Sequence, residues 1–300
     1  MTLSDTVTEV ELPITQSLAE LKPPPRTAVR SFGLTDVGRL RTSNEDQFVI
    51  AEVARNLCVH NTSVPQSKTQ YSSSRGHLFL VADGMGGHQA GEVASALSVV
   101  TVEDFLLNTV KRFFCLKEPD EQNVMKEFQT ALQQADARII EEASHHPELI
   151  GMGTTLTMAF AINWRLFVAH AGDSRCYLFS KGKLHQLTQD HTMVAEMIRL
   201  GMLSPAEAAR HPDRNVITNV LGGPELGVHV EMHKLDLEPG DVVLLCSDGL
   251  NGMVSDARMA ALLQEEQEPQ RACERLVAEA NASGGSDNIT VIVACFEEAV

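Results

Sequence analysis

Positive charge is what this chain has least of: 24 lysines and arginines stand against 40 aspartates and glutamates in 300 residues, a formal net charge of −16. Nucleic acid and anionic membranes are gripped by clustered cations, so the excess of acid argues against both as partners, and any anionic substrate has to be drawn by a local site. Paired cysteines are missing too. Cys58, Cys115, Cys176, Cys246, Cys273 and Cys295 are dispersed with no Cys-x-x-Cys spacing, which reads as reduced core thiols in a cytoplasmic protein. No apolar run approaches the roughly 20 residues of a membrane span, and the N-terminus carries acids where a secretory leader needs basic and apolar blocks. Neither Cys-x5-Arg nor Gly-x-Ser-x-Gly occurs, so nothing points to a covalent nucleophile.

What the chain does have is four aspartate-bearing segments far apart in sequence: Arg41-Thr42-Ser43-Asn44-Glu45-Asp46, Asp83-Gly84-Met85-Gly86-Gly87-His88, Ser247-Asp248-Gly249 and Gly284-Gly285-Ser286-Asp287-Asn288. Three of them border apolar strand-like runs, Leu78 to Ala82, Val242 to Cys246 and Ile289 to Ala294. Each alone reads as easily as a turn. Together, carboxylates converging at strand ends would repel by roughly 4 kcal/mol per close pair at an effective dielectric near 20, and a cation would relieve that. An all-oxygen ligand set favours Mg2+ or Mn2+ over zinc.

Strand-like runs at Phe32 to Val37, Gln47 to Val53, Thr155 to Ala161, Arg165 to Ala171 and Arg175 to Phe179 arrive as meanders. Helical periodicity marks Val93, Leu97, Val100 and Phe105, then Val124, Phe128, Leu132, Ala135 and Ile139, as core-facing stripes, and Arg271 to Ala280 as a final helix. Meanders separated by long helical blocks predict an α+β fold, antiparallel sheets covered by helix pairs. Residues 1–28 are polar, end near Pro23-Pro24-Pro25 and are expected to form a flexible arm; residues 29–300 are expected to be one catalytic domain, with a polar insertion loop at 55–76.

The segments resemble those of the metal-dependent protein phosphatases, the protein phosphatase 2C family, in its bacterial form. Alongside the four, the resemblance runs through Gly153-Thr154-Thr155, Gly172-Asp173-Ser174-Arg175, Leu187-Thr188-Gln189-Asp190-His191, Asn215-Val216-Ile217-Thr218, Leu221-Gly222 and Gly240-Asp241. It implies a four-layer β-sandwich flanked by pairs of α-helices, with a small helical flap at residues 190–221 beside the cleft. It implies metal-dependent hydrolysis of phosphoserine and phosphothreonine at two Mn2+ or Mg2+ ions, water being the nucleophile. Two other uses of the same site stay open, a hydrolase of small phosphate metabolites and an inactive binding module.

Residue by residue, the resemblance places Asp83 between the two ions, the Gly84 carbonyl on one, and Asp248 and Asp287 on the other. Glu45 and Asp46 would hold coordinated waters and Arg41 the phosphate, while Asp173 with Asp248 would hold a weak third ion. Two departures matter. Met85 stands where animal members have a histidine proposed as general acid, which leaves His88 as the candidate, and Gly252 stands where those members often have a further aspartate. The expected partners are phosphorylated proteins and a cognate serine/threonine kinase, and the expected state is a monomer.

Overall fold

A computed structural model describes residues 27–54, 75–86, 90–113, 118–208, 210–223 and 227–299. Eleven strands form two sheets among these residues. The first holds β1 (Thr27–Asp36), β7 (Arg175–Ser180), β8 (Lys183–Gln186), β10 (Val242–Cys246) and β11 (Ile289–Glu298), in the order β1-β11-β10-β7-β8. The second holds β2 (Asp46–Ala54), β3 (Arg75–Met85), β5 (Leu156–Ile162), β6 (Arg165–Ala171) and β9 (Glu231–Asp236), in the order β2-β3-β5-β6-β9, with the short β4 (Gly153–Thr154) pairing with the end of β3. Each ladder is antiparallel.

Strands β3, β5, β6, β10 and β11 are buried almost throughout because both faces of each sheet are covered. Phe79, Val81, Ala159, Val168, Val243, Leu245, Ile292 and Phe296 meet between the sheets. Outside the second sheet, Leu80, Phe160 and Phe167 pack under α1 (Ala90–Phe113) and α2 (Glu118–His145) through Val102, Phe128, Leu132 and Ile139. Outside the first, Leu244, Val291 and Val293 pack under α5 (Asp248–Asn251), α6 (Asp256–Glu265) and α7 (Pro269–Ala282) through Leu250, Met259, Leu262, Cys273 and Leu276. Three apolar layers therefore separate four layers of structure, the α+β sandwich expected.

Several expectations need correction. Arg75 and Gly76, expected in the insertion loop, belong to β3 and pair with Ala54 and Val53, and Thr27 and Ala28, expected in the arm, belong to β1 and pair with Glu298 and Glu297; the rest of both expected segments lies outside the described residues. Val100 is 43% exposed, whereas Val93, Leu97 and Phe105 of α1 pack against the core as expected, beside the buried Ala94, Ser98, Val102 and Leu106. That helix lies between β3 and α2, where a small side chain permits close approach. Four thiols, Cys176, Cys246, Cys273 and Cys295, are free and buried as expected; Cys58 and Cys115 lie outside the described residues. No helix among the described residues is long and apolar enough to cross a membrane.

In the expected flap, Thr192 caps α3 (Met193–Arg199) by accepting from the Ala195 amide at 3.2 Å. Next, α4 (Pro205–Ala208) opens on Pro205, with Ser204 and Glu207 bonding reciprocally as a capping box. The segment is closed at its base by backbone bridges, Thr192 to Ile217 and Leu221 to Thr154.

Candidate active site

Antiparallel pairing brings the aspartates together. Asp46 opens β2 directly opposite Asp83 near the end of β3. Asp248 follows the end of β10, Asp287 precedes the start of β11, and Asp173 lies in the turn from β6 to β7. Since β10 is paired to both β7 and β11 with Cys246 opposite Arg175 and Val291, these turns share one end of the sandwich.

Hydroxyls and amides fix the carboxylates in place. Asp46 Oδ2 accepts from Ser247 Oγ at 2.7 Å and Thr290 Oγ1 at 2.6 Å, which ties the second sheet to the first. The Asp83 carbonyl accepts from the Thr155 amide and from Thr154 Oγ1, both at 2.9 Å. Asn288 pins the loop that carries Arg41 and Glu45: its Oδ1 accepts from the Glu45 amide at 2.8 Å, and its Nδ2 donates to the carbonyls of Val37 at 3.0 Å and Ser43 at 2.9 Å. Sequence reading assigned none of this to Asn288, Ser247 or Thr290. Gly84 crosses so near Gly91 that a Cβ on it would overlap the Gly91 carbonyl oxygen, so the backbone there stays bare.

Among the described residues the only ion pair to this cluster is Arg41 Nη2 to Asp287 Oδ2 at 2.8 Å. It joins Arg41 to a different carboxylate from the Glu45 or Asp46 that lie near it in sequence. The buried acids have no ion pair of their own among these residues, and the pull of Arg41 on Asp248 and of Arg175 on Asp173 is outweighed. Burial raises Asp83 well above the ordinary range, with Asp46, Asp248, Asp173 and Asp287 adding repulsion. Burial likewise lifts Asp46 to about 7 against its two hydroxyl donors, Asp173 to about 8 with help from Asp248 and Asp190, and Asp248 to about 6 with help from Asp287. Glu45 is raised as well, by burial against the pull of Arg41.

Asp46, Asp173 and Asp248 each leave a buried Oδ1 with no hydrogen-bond partner. Buried carboxylate oxygens without partners, on acids that repel one another, are the kind of donor that suits a hard divalent cation, with no sulfur or imidazole among them. Arg41 stands at the rim with 53% of its side chain exposed. His88 lies outside the described residues. A second cluster, His170, His191 and Glu231, was not foreseen; no spacing in the sequence links residues from β6, the 187–192 loop and β9.

The description "Protein phosphatase 2C" belongs to the family model that matches residues 58–281. The chain belongs to this family. It is 34% identical over 259 residues to the serine/threonine phosphatase stp of Listeria innocua, covering 86% of this chain and 92% of that protein. Among solved structures it resembles the serine/threonine phosphatase PstP/Ppp of Mycobacterium tuberculosis, with a TM-score of 0.72 and 34% identity over 90% of this chain and 99% of that one. A PstP catalytic domain solved with two manganese ions matches with a TM-score of 0.70 and 32% identity, over 90% of this chain and 99% of that one.

One prediction about this protein phosphatase 2C arises from its packing alone. A Cβ on Gly249 would overlap the Asn288 carbonyl oxygen, a backbone atom that cannot swing aside. Gly249→Ala should therefore cost about 1–3 kcal/mol, the usual range for overpacking, and lower the melting temperature in chelator. An unchanged melting temperature would show that α5 and the 284–288 loop can part freely.

Proposed function

We propose that this chain is a cytoplasmic, monomeric phosphatase that removes phosphate from phosphoserine and phosphothreonine in proteins, and that a cognate serine/threonine kinase supplies its substrates. The observation that carries this reading is the set of orphaned oxygens on Asp46, Asp173 and Asp248 beside a half-exposed arginine. Asp83, the Gly84 carbonyl, Asp248 and Asp287 would hold two Mn2+ or Mg2+ ions, with Asp173 and Asp248 on a weaker third. Bound there, the ions supply positive charge against the phosphate oxygens and make water acidic enough to attack at neutral pH.

The chain's own groups do the rest. Asp46 and Glu45 accept protons from water and orient it, Asp46 from a position fixed by Ser247 and Thr290. Arg41 offers a planar fork of five donors; one nitrogen lies on Asp287 and the others have no protein partner among the described residues. Two of them suit two oxygens of a phosphate dianion. As water adds to phosphorus the ester P–O bond breaks, and the leaving alkoxide takes a proton, for which His88 is the expected donor.

Hydrolysis of para-nitrophenyl phosphate and of a phosphothreonine peptide should require Mn2+ or Mg2+ and stop in chelator. Faster turnover of sugar phosphates than of phosphopeptides would transfer the site to metabolite chemistry. Arg41→Lys keeps the charge and loses the fork. With a charged hydrogen bond worth about 1.5–3 kcal/mol, kcat/KM should fall roughly ten- to a hundredfold while Mn2+ affinity holds. Wild-type kinetics in that variant would take Arg41 out of phosphate binding.

A further inference from the structure

The His170, His191 and Glu231 cluster has ligand-capable atoms within 4.8 Å of one another, yet the direction of its hydrogen bonds rules out a cation. His191 Nδ1 accepts from the Gly172 amide at 3.1 Å and faces Asn219 Nδ2 at 2.9 Å. Asn219 is held that way round, because its Oδ1 accepts from the His229 amide at 2.9 Å and its Nδ2 donates to the His229 carbonyl at 2.8 Å. Two donors on Nδ1 put the proton of a neutral ring on Nε2, which points at Glu231 Oε2 at 3.3 Å. A metal on Nε2 would need an imidazolate. His170 is also satisfied at both nitrogens, by Thr157 Oγ1 at 2.9 Å and the Gln189 carbonyl at 3.1 Å.

What the cluster holds instead is Gly172. Its amide donates to His191 Nδ1, and its carbonyl accepts from the His191 amide at 2.7 Å, so one residue takes both polar groups of the glycine that precedes Asp173. That carbonyl belongs to the peptide joining residues 172 and 173, and its direction sets where the Asp173 side chain departs. Gly172 has φ +119°, a conformation that side chains rarely adopt, and Thr155 fills the space a Cβ would need. His191 also reaches the other way: its carbonyl accepts from the Thr218 amide at 2.8 Å, and its ring meets Asn219, both on the return of the flap.

We infer that His191 is a positioning residue, whose Nδ1 acceptor aims Asp173 at its ion and ties that aim to the seating of the flap. The inference rests on the proposed role of Asp173 as an ion ligand. It makes the weakest-held ion the point at which flap position is felt in the active site. Glu231 completes the device, since its contact with Nε2 and with His233 fixes the ring plane.

Two variants separate the two halves of the imidazole. His191→Asn keeps an oxygen acceptor near the place of Nδ1; His191→Gln can reach Glu231 with a donor but offers no acceptor at Nδ1. Mn2+ binding is measured by calorimetry, with the melting temperature in chelator as the measure of folding, and Asp173→Asn serves as the reference. Outer residues that orient metal ligands are typically worth 10–100-fold in affinity. His191→Gln should weaken the most weakly held ion about tenfold or more, as Asp173→Asn does, while His191→Asn stays near wild type. If Asp173→Asn weakens that ion and His191→Gln does not, or if both His191 variants weaken it alike together with a lower melting temperature, the positioning role is overturned and Asp173 keeps its own. If Asp173→Asn leaves Mn2+ binding unchanged, the ligand role of Asp173 falls and the inference with it. Should His191→Gln fail to fold, Asn219→Ala tests the flap half of the device: it leaves the Gly172 bond to Nδ1 and removes the flap-side contact, so the most weakly held ion should weaken about tenfold, and unchanged Mn2+ binding would overturn the tie between flap and Asp173.

Discussion

Asp248→Asn should abolish hydrolysis and yet leave the metal-free protein at least as stable as wild type. Asp248 is buried with one oxygen orphaned and is pushed up to about 6 by burial and by Asp287. The amide removes one proposed ligand and one charge from a group of acids that repel each other. Loss of activity should exceed about a hundredfold, the upper figure for residues that only support a metal ligand. In chelator the melting temperature should match or exceed that of wild type, because one of the charges that repel Asp83 and Asp173 has been removed. If the variant unfolded in chelator while wild type ignored Mn2+, Asp248 would be a structural group and the metal assignment would fail.

The second large effect is a pH dependence that exists only without metal. Asp46 at about 7, Asp173 at about 8 and Asp248 at about 6 all stand above the ordinary 3.8. A carboxyl with a higher pKa folded than unfolded binds its proton more tightly in the folded protein. It therefore favours folding at low pH, and the advantage is lost as pH rises from about 3.8 through the folded values up to about 8. In chelator the melting temperature should fall steadily across that window. Cations replace the protons in this role, so saturating Mn2+ should flatten the slope. At a hundredfold excess over its dissociation constant, one ion contributes about 2.7 kcal/mol, or roughly 4 °C for a chain of this length. Thermal scans at a series of pH values, with and without Mn2+, measure both. A flat profile in chelator would mean that the acids stay apart or solvated.

Much of the site was legible because its chemistry is written in residue types at strand ends. The runs beside Asp83, Asp248 and Asp287 are strands β3, β10 and β11, and apolar runs bounded by Asp-Gly or Gly-Ser-Asp announce both the strand and the turn. Less legible was whatever depends on the distance between segments. Ser247 and Thr290 look like ordinary hydroxyls until the sheets stack and both reach Asp46. Arg41 lies a few residues from Glu45 and Asp46, but the fold turns it to Asp287. Periodicity found α1 and the side of it that packs on the core through Val93, Leu97 and Phe105, but placed Val100 there too, which is exposed. His191 was visible only as the end of the Leu187 to His191 segment, with no role attached. Its role depends on the direction of hydrogen bonds from Gly172 and Asn219, which no spacing encodes.

The hydroxyl grip on Asp46 also makes the site depend on segments far apart in the chain. Its donors are 201 and 244 residues away in sequence, and the amide of the neighbouring Glu45 waits for Asn288. Strand β1 likewise lies beside β11, at the far end of the described residues. Contacts of such long separation form late and slowly. The acids therefore come together only when β11 has closed on β1 and the loop at 284–288 has reached Glu45.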